Sequence, residues 1–141
     1  MDINSLTFLV STFSTKFRDS FEKQMSVIGL HAGQVFVLVS LWQTDGQSQA
    51  ELVKNLNVTP PTIYNMVVKM ASIGFVEIRK DNNDARIMRV FLTQKGCEIE
   101  PLVENECQKF EEKIFGILTE TERMMCSLLL QKLISNVLPT K

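Results

Sequence analysis

Apolar residues recur every three or four positions along most of the chain, and this spacing predicts a mainly helical protein. The longest such stretch predicts a first helix over residues 4–28. Its apolar stripe consists of Leu6, Val10, Phe13, Phe17, Phe21, Met25 and Ile28. A long stripe rich in phenylalanine requires a partner surface, which is either the core of this chain or a second subunit. The neighbouring apolar residues Phe8 and Leu9 favour a second subunit.

Two shorter helices are predicted next. The first covers residues 32–43, and its apolar face consists of Val35, Leu38, Val39 and Trp42. Ser48 and Glu51 then match a capping box, in which two side chains satisfy free backbone N–H groups at a helix start. We therefore expect a second short helix that begins at this box and ends near Leu56.

A third helix is predicted from Pro60 to about Ile73, because proline lacks an N–H group and the first N–H groups of a helix have no internal partner. Pro60 is expected at or near the cap and Pro61 in the first turn. The inward positions are Ile63, Val67 and Met70, and the outward ones are Thr62, Asn65 and Lys69. Two short helices joined by a tight turn form a helix-turn-helix, whose second helix enters the major groove of DNA. Taken alone, this pattern also fits an ordinary surface helix.

The hydrophobic period changes from helical to alternating after Gly74, which predicts β-strands. One strand covers residues 75–79 and the other covers residues 87–92. The polar residues 80–86 between them supply the Asp and Asn that favour turns. The two strands therefore form a hairpin with basic residues near its tip, and a hairpin directly after a helix-turn-helix is a wing.

The rest of the chain returns to helical spacing. Thr93 is the predicted cap of a helix that ends near Leu118, with Pro101 either in an early turn or at a kink. Thr119 opens a second capping box and a final helix, which Pro139 ends. The predicted fold class is therefore mainly α with a small β-hairpin wing.

The composition is typical of a globular protein, with 45% hydrophobic and 22% charged residues. The net charge of −1 argues at first against a nucleic-acid partner. However, residues 75–96 carry five basic and three acidic residues, whereas residues 97–141 carry five basic and eight acidic ones. The positive excess is thus local and adjoins the helix-turn-helix. No apolar run is long enough to span a bilayer and no secretory signal opens the chain, which favours the cytoplasm.

Residue types that carry enzyme chemistry are sparse. There is one histidine, and we find no metal-ligand cluster, no phosphate-binding glycine loop and no nucleophile–base arrangement. We therefore expect no enzyme activity, no metal and no cofactor. The three cysteines, Cys97, Cys107 and Cys126, form no CxxC pair, and buried thiols on helix faces are expected. The alternative, a redox sensor, requires an exposed thiol of low pKa.

Five segments carry a more specific signal. They are Ser48-Gln49-Ala50-Glu51-Leu52, Leu56-Asn57-Val58, Gly74-Phe75-Val76, Asp81-Asn82-Asn83-Asp84-Ala85-Arg86 and Leu92-Thr93-Gln94-Lys95-Gly96. With them the chain resembles the MarR-type (multiple antibiotic resistance regulator) family of winged helix-turn-helix transcriptional regulators. The most specific mark is an acidic residue two positions before an arginine in the wing, followed by Leu-Thr-x-x-Gly. The likeness covers essentially the whole chain.

The resemblance implies a homodimer that binds a palindromic operator in double-stranded DNA. Residues 32–96 of the single domain 1–141 would form the winged helix-turn-helix. Residues 1–30 and 97–141 would supply the N- and C-terminal dimerisation helices. The two recognition helices would then enter successive major grooves about one helical turn apart.

The resemblance also implies which residues contact DNA. In the family the wing arginine reaches the minor groove and the aspartate orients it, and these roles fall on Arg86 and Asp84. Arg79 and Lys80 suit phosphate contacts. The full set is Ser48, Gln49, Thr59, Pro61, Thr62, Asn65, Lys69, Arg79, Lys80, Asp84 and Arg86. Relatives often carry arginine on the recognition helix, whereas this one has only Lys69, so we expect an AT-leaning operator with substantial phosphate and minor-groove dependence.

Many relatives respond to small aromatic acids or oxidants. A small aromatic effector would lie between the first two helices, the dimerisation helices and the recognition helix, lined by Phe13, Phe17, His31 and Trp42. Each of these residues also fits a plain core position, and His31 also fits a polar niche at a helix start. The oxidant-sensing relatives keep a reactive cysteine in the first helix, and this chain has none there.

Two classes of function therefore remain open. The first is a dimeric repressor or activator that a ligand releases or tunes. The second is a winged-helix protein-interaction module, such as a scaffold or an anti-repressor partner, that binds little DNA. The weak basicity of the recognition helix keeps the second class open, and DNA-binding experiments separate the two.

Overall fold

The computed structural model describes residues 2–137. Within them, seven helices and three strands confirm the predicted fold class. In chain order they are α1 (Leu6–Ser26), α2 (Ala32–Gln43), β1 (Gln47–Ser48), α3 (Gln49–Leu56), α4 (Pro60–Ser72), β2 (Val76–Lys80), β3 (Met88–Leu92), α5 (Gln94–Glu98), α6 (Glu100–Phe115) and α7 (Glu120–Asn136). The strands form one antiparallel sheet in the order β1-β3-β2.

Local capping explains why several helices begin where the sequence predicted. The Ser48 hydroxyl accepts the backbone N–H of Glu51 at 3.1 Å, and the Glu51 carboxylate accepts the backbone N–H of Ser48 at 3.2 Å. Thr119 and Glu122 make the equivalent bonds at the start of α7, so both predicted capping boxes are confirmed. Pro60 and Pro61 occupy the first turn of α4, where their missing N–H groups have no helical partner to lose.

The structure corrects two predicted elements. Strand β1 was not predicted, because it has only two residues and its pairing with β3 is formed by distant parts of the chain. The helix predicted from Thr93 to about Leu118 is two helices, α5 and α6, which meet at Ile99. Pro101 lies in the first turn of α6, so it belongs to a helix start and not to a kink.

Two further predictions change in detail. Val39 was assigned to the buried face of α2 but is exposed, whereas Val37 and Leu41 are buried. This helix packs against neighbours on more sides than a single stripe can describe. Pro139 lies outside the described residues, and α7 ends before it, at Asn136.

The core lies among the second half of α1, helices α2 to α4, the sheet and α6. Its fully buried side chains include Met25, Leu38, Leu41, Leu52, Ile63, Met70, Val90 and Val103. Two regions stand apart from it. Helix α7 contributes no buried residue, and the first half of α1 exposes Leu6, Val10 and Phe13. The stripe of α1 is thus buried by this chain only near its end, at Phe21 and Met25.

Candidate nucleic-acid interface

Helix α4 has one buried face and one exposed face, as its spacing predicted. The buried side chains are Ile63, Val67 and Met70, and the exposed polar ones are Thr62, Asn65 and Lys69. Tyr64 and Val68, which the spacing assigned to neither face, are also 55% and 40% exposed. The exposed surface of α4 therefore offers a hydroxyl, an amide, an ammonium group, a phenol ring and one small apolar side chain, which suit the edges and phosphates of DNA.

The start of α4 is tied to the start of α3. The side-chain amide of Gln49 donates to the carbonyl oxygen of Pro60 at 3.3 Å. The hydroxyl oxygens of Thr59 and Thr62 are 2.8 Å apart, so these two predicted contacts are already linked. Ser48 differs from the other predicted contacts, because its hydroxyl caps α3 and the residue is only 8% exposed. Its visible role is to begin α3.

The Leu-Thr-x-x-Gly segment fixes the other end of α4, where the last carbonyl groups lack helical partners. The Thr93 hydroxyl donates to the carbonyl oxygen of Gly74, and the Lys95 ammonium group donates to that of Ile73 at 2.6 Å. Gly96 packs closely against the backbone of Phe75. A Cβ atom added at Gly96 would be 2.2 Å from the carbonyl oxygen of Phe75. The motif therefore holds the end of α4 against the hairpin, and its last position has room only for glycine.

Arg86 lies at the wing tip with 90% of its side chain exposed. Its Nε and Nη2 groups donate to the two carboxylate oxygens of Asp84 at 3.0 and 3.1 Å, and its backbone N–H donates to the same carboxylate at 3.0 Å. The guanidinium bond lowers the pKa of Asp84 and raises the pKa of Arg86. A two-point pair fixes the direction of a guanidinium group. Asp84 thus orients an arginine that remains open to a partner.

Arg79 and Lys80 end β2 in different surroundings. The Nη2 group of Arg79 donates to Glu77 at 3.0 Å, and its guanidinium carbon lies 4.3 Å from the centre of the Phe91 ring. Both contacts hold Arg79 against the sheet. Lys80, the last residue of β2, is exposed beside the wing loop, so it is the better placed of the two for a phosphate.

Asp81 and Arg89 are not among the predicted DNA contacts, but they form a bonded pair beside the wing loop. One carboxylate oxygen of Asp81 accepts a bond from the Arg89 guanidinium, and the other accepts the backbone N–H groups of Asn83 and Asp84, each at 3.0 Å. An aspartate that opens a turn in this way is recognisable from sequence. Arg89 also donates to the carbonyl oxygen of Gly46 at 3.0 Å. This bond cannot be recognised from sequence, because the two residues are 43 positions apart.

Two open grooves flank α4 and gather six of the eleven predicted contacts. The first has a volume of about 470 Å³ and is lined by Ser48, Gln49, Ala50, Val53, Pro60, Arg86, Ile87 and Met88. The second has a volume of about 320 Å³ and is lined by His31, Gly33, Gln34, Thr62, Asn65, Met66 and Lys69. Arg86 of the wing therefore shares the first groove with the starts of α3 and α4, and the polar face of α4 lines the second.

The four candidate effector residues do not meet in one site. The rings of Phe13 and Phe17 are 5.7 Å apart on α1. His31 caps α2, and its Nδ1 atom lies 2.7 Å from the Glu22 carboxylate. Trp42 lies near the opposite end of α2, roughly 16 Å away by helical rise, and donates its indole N–H to a backbone carbonyl of α5 at 2.9 Å. The effector therefore stays a prediction.

The cysteines differ in exposure. Cys97 is exposed, so the expectation of buried thiols is wrong there, whereas Cys107 and Cys126 are partly buried. Burial raises the pKa of Cys107, and neighbouring glutamates raise it further, which is the opposite of what a reactive thiolate requires. Among residues 2–137, no cluster of acidic, histidine or cysteine side chains is arranged to hold a metal. None of the described helices is both long and apolar enough to cross a membrane.

Comparison with known proteins decides the family. The MarR family profile matches residues 30–88, from just before α2 to the start of β3. This chain belongs to the MarR family. The HTH-type transcriptional regulator BilQ of Clostridium symbiosum is 26% identical over 125 residues, which cover 86% of this chain and 87% of that protein.

Solved structures agree with the MarR assignment. A MarR transcriptional regulator from Methanosarcina mazei Go1 has a TM-score of 0.82 and 26% identity, with 91% of this chain and 92% of that chain covered. The S. aureus MepR–DNA complex has a TM-score of 0.82 and covers 94% of this chain and 98% of that chain, but at 21% identity it supports the fold alone. This MarR-family chain is a DNA-binding transcriptional regulator, and the relatives it matches are regulators and not enzymes.

Proposed function

We propose that this MarR-family chain acts as a homodimer on a palindromic operator, with one α4 and one wing from each protomer. The observation that carries the proposal is that an exposed and already oriented arginine, Arg86, shares a groove with Pro60, which begins the helix that carries the polar face. A helix fits the major groove, and an arginine suits the negative potential of a narrow minor groove. The two neighbouring elements therefore suit adjacent grooves of one duplex.

The homodimer is supported by apolar surface outside the core. The exposed apolar side chains of α7 and of Val137, which follows it, are Met124, Met125, Leu128, Leu129, Leu130, Leu133, Ile134 and Val137. The first half of α1 adds Leu6, Leu9, Val10 and Phe13. Surfaces of this kind mark interfaces, and a two-fold axis would bring the same helices of two copies together. Helix α1 and helices α6 and α7 would then form the dimerisation part.

The binding mode divides recognition between two elements. Asn65 has the amide that pairs with an adenine edge, and Thr62 suits a thymine methyl group or a phosphate. Lys69 and Lys80 add phosphate contacts, and Arg86 enters the minor groove. With one basic residue on the exposed face of α4, much of the affinity comes from the wing and from the presence of two copies.

A protein-interaction module is the competing function. The observation in its favour is the single lysine on the exposed face of α4 together with a net charge of −1. Such a module would bind its partner without the steep salt dependence that phosphate contacts produce.

The test begins with the purified full chain. Light scattering measures its mass, and selection from random duplexes followed by titration at several salt concentrations measures sequence preference and affinity. We expect a dimer, two related half-sites about one helical turn apart, and weaker binding for Lys69→Ala. Lys113→Ala, which removes an exposed lysine of α6, is the charge-matched control and should bind as the parent does. A monomer, or a selection that enriches no sequence, would overturn the proposal.

A further inference from the structure

Arg89 is the second residue of β3 and contacts three other parts of the chain. Its Nη1 group donates to the carbonyl oxygen of Gly46 at 3.0 Å, in the turn before β1. Its Nε group donates to the carboxylate of Asp81, which directly follows β2. Its guanidinium group also lies 3.9 Å from the carboxylate of Glu51 in the first turn of α3. The Arg89 and Asp81 side chains are 31% and 14% exposed, so most of this pair is shielded from solvent.

The carboxylate of Asp81 also holds the wing loop. Its second carboxylate oxygen accepts two backbone N–H groups of the loop, one of them from Asp84 at 3.0 Å. The backbone N–H of Asp81 donates to the carbonyl oxygen of Ile87 at 2.8 Å and closes the loop. Asp84, held in this way, is the residue that orients Arg86. An unbroken series of bonds therefore connects Arg89 to the exposed arginine.

The other side of Arg89 faces α3 and, through it, α4. Ser48 lies opposite Arg89 in the pairing of β1 with β3. Glu51 closes the capping box of α3, and Gln49 binds the first turn of α4. Arg89 thus lies where the wing meets the start of the helix-turn-helix.

We propose that Arg89 and Asp81 are positioning residues that set the place of Arg86 relative to α4. Neither residue touches DNA, and the proposal rests on the binding mode proposed above. The planar guanidinium reaches Asp81 and Gly46 at the same time, whereas a lysine ammonium group is a point charge on a flexible stem and does not hold both bonds in one geometry. Without the pair the wing shifts against α4, and Arg86 meets the minor groove less often.

A matched control exists elsewhere in the chain. Arg123 of α7 also bonds to one carboxylate and one backbone carbonyl, those of Glu112 and Phe115, both at 3.1 Å. Arg123→Lys therefore removes the same type of contact without touching the wing. Light scattering on this variant verifies that the dimer is retained.

The experiment is a double-mutant cycle on the operator selected with the parent protein. It measures dissociation constants for the parent, Arg89→Lys, Arg86→Ala and the double variant, with Arg123→Lys as control. We expect Arg89→Lys to weaken binding roughly tenfold, and the double variant to bind no more weakly than Arg86→Ala alone. Repeated selection with Arg89→Lys should flatten base preference only where Arg86→Ala flattens it. A purely structural role would not confine the change to those base pairs.

The outcomes separate the two proposals. If the losses of Arg89→Lys and Arg86→Ala multiply in the double variant, the positioning role is overturned while the binding mode stands. If Arg86→Ala binds as tightly as the parent, the wing contact itself is overturned, and the positioning role with it. The same cycle is measured with Asp81→Asn, which keeps the shape of the side chain, in place of Arg89→Lys. Because this variant tests the other residue of the pair, a folding defect in Arg89→Lys cannot decide the result.

Discussion

The recognition helix and the wing meet the solvent in different ways. The Thr62, Asn65 and Lys69 side chains of α4 make one contact among them, between the hydroxyl groups of Thr62 and Thr59. In the wing, Arg86 and Arg89 are each bonded to an aspartate of the same hairpin. A rigid helix therefore presents adaptable side chains, whereas a loop presents a charge of fixed direction. In the proposed binding mode, α4 therefore contributes most of the sequence selection and the wing contributes most of the affinity.

The proposed homodimer would supply two copies of each region. One α4 and one wing offer few basic groups, so a single copy is expected to bind DNA weakly. In a dimer the second copy would bind intramolecularly, which adds avidity without any new contact. The proposed role of both regions therefore depends on the apolar helices at the two ends of the chain.

The largest expected effect comes from separating the two copies. Leu128→Asp places a charge on the exposed apolar surface of α7, and because Leu128 is 67% exposed in the single chain, the protomer should keep its fold. We expect a monomer and a loss of operator affinity of roughly a hundredfold. Light scattering and DNA titration measure the two effects. Gln131→Asp, at a polar residue of the same helix, is the control, and a Leu128→Asp dimer with full affinity would contradict the proposed interface.

The next effect tests whether the direction of the wing charge matters. Asp84→Asn removes a negative charge and one half of the two-point pair with Arg86. General attraction to DNA should rise, but the oriented contact should weaken, so the ratio of operator to non-specific affinity should fall roughly tenfold. Titration of operator and scrambled duplexes measures this ratio. If it is unchanged, the orientation by Asp84 contributes nothing to recognition.

A smaller effect is expected from α4. Asn65→Ala removes the amide proposed to pair with adenine, which should cost roughly fivefold on the preferred sequence. Because an amide carries no charge, the salt dependence of binding should stay as in the parent. Selection with the variant should show relaxed preference at one base pair of each half-site. A uniform loss on all sequences would indicate that Asn65 contacts the backbone instead.

The smallest effect concerns pH. The bond from Arg89, followed by the loop N–H groups, lowers the pKa of Asp81 in the folded state. The ionised carboxylate therefore adds stability above the ordinary aspartate pKa of about 3.9, and this stability is lost as pH falls through the lower folded value. Asp81→Asn should unfold at a lower temperature than the parent at neutral pH, and the difference should shrink in acid. A difference that is the same at all pH values would contradict this origin.

Local signals made much of the fold predictable. The capping boxes at Ser48 and Thr119 need only residues three positions apart, and both helices begin where they indicate. The two faces of α4 follow from spacing alone. Strand β1 was missed because two residues carry no period, and the division at Ile99 was missed because the apolar spacing continues across it.

The candidate site was predictable to a smaller extent. The pairing of Asp84 with Arg86 was expected from the resemblance to the family, and the two side chains do form a bond. Arg89 was missed because its partners come from separate elements that only the fold brings together. The four residues predicted to line an effector site do not lie together, because His31 and Trp42 are near opposite ends of α2.

The most direct test of the division between wing and helix compares two alanine variants on the same operator. Dissociation constants for Arg86→Ala and Lys69→Ala are measured over a series of salt concentrations. We predict that Arg86→Ala loses at least about tenfold, more than Lys69→Ala does, with a salt slope reduced by about one per protomer. Its preference at the base pairs read by α4 should remain. Equal or greater loss in Lys69→Ala, with Arg86→Ala near the parent, would contradict the claim that the wing supplies the affinity.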